Sequence, residues 1–202
     1  MNHRRNVSLG FTEGTVPAGT HICQIFNDDD ERNDVLVRFI LSGLRASERV
    51  TCFSERANAA ELETVFTAHD LSYAQLTASE AFSLAPTSKV YFEGGQFDPE
   101  RMLERLACFY DEGVAQGYVG SRILGEMIPE VHELPGGSRL FEYEARISLL
   151  LQRLPLTAVC QYDARSFDGA TILDVLRVHP MMLVRGSVVH NPFFIPPEVF
   201  LA

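Results

Sequence analysis

The chain has 202 residues, enough for one large domain or two small ones, and its 46% hydrophobic and 22% charged residues suit a globular core. A formal net charge of -10, with Lys89 as the single lysine, argues against a nucleic-acid surface, because phosphate contacts need Lys and Arg. Neither a glycine-rich turn carrying a lysine nor a GxGxxG run occurs, and no stretch is apolar for long enough to span a bilayer.

Residues 1–18 are polar and Gly-rich and read as a loose leader, with Pro17 and Gly19 turning into the first strand. The stretch from His21 to Glu55 organises the rest of the chain. An apolar run (Ile22 to Phe26) is followed by an acidic cluster (Asn27 to Glu31), then by Val35, Leu36, Phe39, Ile40 and Leu44 at helical spacing. A second apolar run, Val50 to Phe53, closes it. Strand, helix and strand with short joints predict a right-handed parallel βαβ unit. Nucleotide-binding units of this kind keep glycines and a lysine in the first turn. Here Asp28, Asp29, Asp30 and Glu31 would repel a triphosphate. The acids read as N-capping and dipole-complementing groups, with cation binding as the less favoured alternative.

Further along, helices are predicted over residues 59–69 and 74–78, and short strands at Phe82 to Leu84 and Val90 to Phe92. Asp98-Pro99 opens a helix that runs to about Gln116. A strand from Val119 to Leu124 leads into Gly125-Glu126-Met127, and a Pro/Gly-rich loop precedes a long helix from Ser138 to Arg153. Leu156 to Tyr162 is a buried strand, residues 169–178 a helix, and Met181 to His190 a strand pair turning at Arg185-Gly186-Ser187. The whole reads as one α/β domain of three layers, with a mostly parallel sheet and a C-terminal antiparallel edge hairpin.

Cys23, Cys52, Cys108 and Cys160 show no CxxC spacing. They read as reduced structural thiols in a cytoplasmic protein. His21 and His179 fall at the amino ends of strands and read as hydrogen-bonding groups at the bottom of the sheet. A metal there, with Cys23, lacks a third and fourth ligand, so no metal and no cofactor are expected.

Several segments together resemble the MEDS domain, the sensory domain of methanogen and methylotroph regulators of the DcmR type: HICQIF, SGLRASERV, FDPERM, GEM, FEYEAR, VCQYD, VLRVHP and HNPFF. The resemblance covers Gly19 to Phe194, leaving 1–18 as leader and 195–202 as tail. The first βαβ unit is also similar to KaiC-type RecA-like ATPases. The resemblance implies a RecA-like fold with a degenerate nucleotide site. It further implies binding of a small molecule and relay to a histidine kinase or transcription regulator. No such output segment lies outside the sensor, so the output is expected on a separate protein, with self-association left open. A protein-interaction adaptor without a ligand is the alternative. An acid–base enzyme using Glu126, Tyr162 and Asp163 ranks below both, because no nucleophile–base pair is evident.

Ligands of open parallel sheets lie beyond the carboxyl ends of the strands. On that ground Glu126, Gln161, Tyr162 and Asp163, with Tyr143 and Glu144 from the long helix, are the candidate ligand-binding residues. The competing reading pairs Glu126 and Glu144 internally with Arg122 or Arg146.

Overall fold

The computed structural model describes residues 4–202. Nine strands and eight α-helices occur in this order: β1 (Asn6–Ser8), β2 (Thr15–Pro17), β3 (His21–Phe26), α1 (Asp29–Arg45), β4 (Arg49–Phe53), α2 (Ala59–Ala68), α3 (Tyr73–Ala78), β5 (Phe82–Ala85), α4 (Thr87–Tyr91), α5 (Pro99–Ala115), β6 (Ser121–Glu126), α6 (Leu140–Arg153), β7 (Leu156–Asp163), α7 (Gly169–Val178), β8 (Met181–Val184), β9 (Ser187–His190) and α8 (Pro197–Phe200). Among these residues no helix is long and apolar enough to cross a membrane.

The main sheet has the order β5-β4-β6-β7-β3-β8-β9, parallel except for the β8–β9 hairpin at one edge. Its central strands β4, β6 and β7 are buried on both faces, which is why they read as continuous apolar runs. Side chains alternate across the sheet, and two cores result. One holds Ile22, Leu36, Phe39, Ile40, Leu124 and Val159 under α1 and α2. The other holds Met102, Leu106, Ile123, Tyr143, Ile147, Leu151 and Tyr162 under α5 and α6. Local signals set the helix starts. Asp28, Asn58, Ser72, Asp98 and Asp168 each accept a hydrogen bond from a backbone N–H in the first turn of the helix they precede.

Residues 4–18 of the expected leader are a structured element, and residues 1–3 lie outside the described residues. β1 and β2 form an antiparallel hairpin whose inward residues Val7, Leu9, Phe11, Val16 and Ala18 are buried in the α1-side core. Gly10 adopts φ +82°, and a Cβ there would come within 2.3 Å of the Arg38 carbonyl of α1. Only glycine lets the hairpin lie this close to the helix. Arg122 of β6 is fully buried beneath it. Its guanidinium is ion-paired with Glu48, donates to Ser8 O at 2.7 Å, and lies over the Phe39 ring at 5.1 Å.

Val90 to Phe92, expected as a strand, belongs to α4 and its end. Pro86 precedes that helix, and Val90 and Tyr91 bury their side chains from it. An apolar run this short does not distinguish helix from strand.

Candidate functional site

Parallel strands end together, so β3, β4, β6 and β7 bring Phe26, Phe53, Glu126 and Asp163 to one edge of the sheet. That edge is filled by arginines. Arg56 reaches Glu126 at 3.0 Å, Asp163 at 2.7 Å and Asp29 at 2.7 Å, and Arg165 binds Asp163 and Asp29 at 2.8 Å. Ser54 donates to Glu126 and accepts from the backbone N–H groups of Arg56 and Ala57. Behind them, Gln161 donates to Gln24 at 2.7 Å and to Arg32 O at 3.1 Å. The acidic turn is therefore divided in its work. Asp28 caps α1, while Asp29 holds the two arginines.

Hydrogen bonds from Arg165, with Arg56 beside it, hold the Asp163 carboxyl well below the usual carboxylate range. A group depressed in this way stabilises the fold above the unfolded aspartate pKa of about 3.9, and that stability is lost as pH falls below it toward the lower folded value. Asp163→Asn is therefore expected to be less stable than the parent at pH 7, with a shallower acid limb between about pH 4 and pH 2. Urea midpoints across that range check it, and parallel curves for the two proteins would contradict it.

A different constellation lies on the α6 face. His21 opens β3 and Cys160 sits on the adjacent strand β7, with both side chains directed to this face. Glu144 and Ser148, one turn apart on α6, meet them. His179 closes the group from the end of α7. All five are buried. His21 Nε2 is 3.3 Å from Cys160 Sγ and 3.4 Å from Glu144 Oε2, and His179 Nε2 is 3.5 Å from the same oxygen. Cys160 Sγ lies 3.8 Å from it. His179 Nδ1 is bonded to Val175 O at 2.7 Å and His21 Nδ1 to Ser148 Oγ at 2.9 Å. Tyr162 donates to Glu144 Oε1 at 2.7 Å. Burial lowers both imidazoles to about 3, so both are neutral at pH 7. Burial also raises the Glu144 carboxyl, with His179 and the Tyr162 hydroxyl opposing that shift.

Beside this group a cleft of about 740 Å³ opens to the surface. Val16, Met181, Val188 and Phe194 supply apolar walls, and His21 and Ser148 lie at its inner end.

The six candidate residues therefore fall on two faces of the sheet. Glu126, Gln161 and Asp163 lie on the α1 side, whereas Tyr143, Glu144 and Tyr162 lie on the α6 side. The competing pairing is not realised either. Arg122 takes Glu48, Arg146 takes Glu100 and Glu142, Glu126 takes Arg56, and Glu144 meets no arginine. His21 and His179 do make the expected hydrogen bonds, and Glu144 and Cys160 supply the third and fourth donors that the sequence did not reveal. Cys23 is not among them. Strand parity was the available signal, since His21 and Cys160 sit on matching faces of adjoining strands.

The architecture is that of a RecA-like domain whose strand-end edge is closed by its own arginines. Two solved structures share the fold at identities that support fold alone. The KaiC-like protein of Pyrococcus horikoshii gives a TM-score of 0.61 at 14% identity, covering 89% of this chain and 80% of that one. The flagellar accessory protein FlaH of Methanocaldococcus jannaschii gives 0.64 at 13%, covering 91% and 83%. The family model for MEDS, the MEthanogen/methylotroph, DcmR Sensory domain, matches residues 20–180, and the chain belongs to that family. It is 24% identical over 160 residues to the transcriptional repressor DcmR of Methylorubrum extorquens, covering 79% of this chain. The match spans 57% of the repressor's length. Membership places the chain among signalling and regulatory domains.

Proposed function

We propose that this domain senses a small, mostly apolar molecule in the cleft beside His21 and relays its binding to a histidine kinase or transcription regulator. The cleft itself carries the reading: about 740 Å³ with a mostly apolar lining, into which Thr15, Thr20, His21, Ser148, Gln152 and His190 bring polar groups. Small-molecule pockets have that size and character. Glu144 and Tyr162 form a polar pair behind His21 of the cleft, Tyr143 packs against Tyr91 and Phe97, and Glu126, Gln161 and Asp163 lie at the opposite edge. Strand β2 and the β8–β9 hairpin wall the cleft, so an occupant bears on surface elements from both ends of the chain. The role is binding rather than catalysis.

Thermal-shift measurements against a panel of small alcohols, ketones, aldehydes and amides test this. Val189 lines the cleft and is 39% exposed, so Val189→Trp can fill the space without disturbing a core. Stabilisation by panel members is expected in the parent and lost in Val189→Trp. It should persist in Val114→Trp, a change on the exposed face of α5. Stabilisation that survives Val189→Trp would contradict the cleft as the site. A second reading, the ligand-free adaptor, is favoured by Val184, Val189, Phe193, Val199 and Leu201, large apolar side chains exposed near the C-terminal end. A panel without a single hit would favour it.

A further inference from the structure

We propose that His21, Glu144, Cys160 and His179 bind one divalent zinc ion in a closed tetrahedral site. The proposal does not depend on the ligand of the cleft.

The four donor atoms lie within 4.8 Å of one another. Four of their separations are 3.3, 3.4, 3.5 and 3.8 Å. Zinc bonds of about 2.0–2.3 Å to N, O and S place neighbouring ligands of a tetrahedron about 3.3–3.7 Å apart. The side chains are thus already spaced as ligands around a common centre.

The groups behind the donors fix the same arrangement. Val175 O holds His179 Nδ1 at 2.7 Å, so that nitrogen carries the proton and Nε2 presents its lone pair inward. Ser148 donates to Val178 O at 3.3 Å and so accepts from His21 Nδ1, which assigns the same tautomer to His21. Tyr162 holds the outer oxygen of Glu144, leaving Oε2 for the centre. Metal-binding histidines are usually oriented by such a bond from the second ring nitrogen.

Hydrogen bonding alone leaves the group unsatisfied. The Cys160 thiol can donate to His21 Nε2 at 3.3 Å. His179 Nε2, fully buried, has no hydrogen-bond partner among the described residues, and its approach to Glu144 Oε2 at 3.5 Å lacks bonding geometry. Buried polar atoms in native folds are paired with protein, water or an ion. A cation at the centre satisfies His179 and the other three donors together. Charge also closes: one thiolate and one carboxylate neutralise a divalent ion, leaving no net charge in a dry interior. The mixed N, S and O donor set with tetrahedral spacing suits zinc rather than magnesium or calcium, which prefer six or more oxygens.

The test is metal analysis of the full chain purified without chelator, followed by replacement of the native ion with cobalt. About one zinc per chain is expected. Cobalt should give a thiolate-to-metal charge-transfer band and the intense visible bands of tetrahedral coordination. His179→Gln and Cys160→Ala should each lower bound zinc at least tenfold, while Cys52→Ala, on the other face of the sheet, should retain it. The cobalt spectrum of the unaltered protein stands even where a variant fails to fold. Metal below about a tenth of an equivalent, with no charge-transfer band after cobalt addition, would overturn the site. Stoichiometric iron or nickel in place of zinc would overturn the assignment of the ion.

Discussion

Glu48→Ala is expected to destabilise the domain by about 3–5 kcal/mol, the cost of breaking a buried ion pair on one side. Glu48 is buried and paired with both Arg122 and Arg5. Arg5 is half-exposed and can turn to water. Arg122 is fully buried, and without Glu48 its charge would be left with the carbonyl oxygens of Ser8 and Phe39 and the face of the Phe39 ring. The double change Glu48→Ala with Arg122→Met removes both charges and should recover much of the loss. Urea denaturation of the three proteins measures this. A loss below about 1 kcal/mol for Glu48→Ala would mean that water reaches Arg122 and that the pair behaves as a surface one.

Removal of residues 1–18 is expected to cost on the order of 5 kcal/mol or more, since fully buried Val, Leu or Phe side chains each contribute about 1.5–3 kcal/mol. Val7, Leu9, Phe11 and Val16 would be lost from the core above α1, and Phe39 would lose its contact with Phe11. Ser8 O would disappear as an acceptor for both Arg122 and Ser42. A loss of this size rivals the whole stability of an ordinary domain, so the shortened chain should be unfolded or aggregated at room temperature. Circular dichroism and the thermal midpoint decide it. An unchanged midpoint would restore the view of this segment as a loose leader.

That segment shows where sequence patterns lose their hold. β1 and β2 are three residues each, too short for alternation to stand out, and Gly10 and Gly14 between them read as disorder rather than as a turn packed on α1. The parallel core was legible because its signals are long and reinforce one another. The Ile22 to Phe26 and Val50 to Phe53 runs, the Asp98-Pro99 helix start and the Arg185-Gly186 turn all fall where the structure uses them. The strand-end rule gathered Glu126, Gln161, Tyr162 and Asp163 into one rim, although consecutive side chains of a strand point to opposite faces. Parity alone sends Tyr162 away from Gln161 and Asp163, and aligns Cys160 with His21. The approach of His179 was not legible, because it depends on how α7 packs against β3 and α6. Arg56 was invisible for the same reason: its three carboxylate partners come from α1, β6 and β7.

The two ends of the sheet make opposite claims as the ligand site, and a crystallographic fragment screen compares them directly. Fragments are expected in the cleft between β2 and the β8–β9 hairpin, in contact with His21, with Arg56 still bridging Asp29, Glu126 and Asp163. Fragments or a nucleotide lodged at the strand ends, with Arg56 displaced and the cleft empty, would contradict a sensing site beside His21.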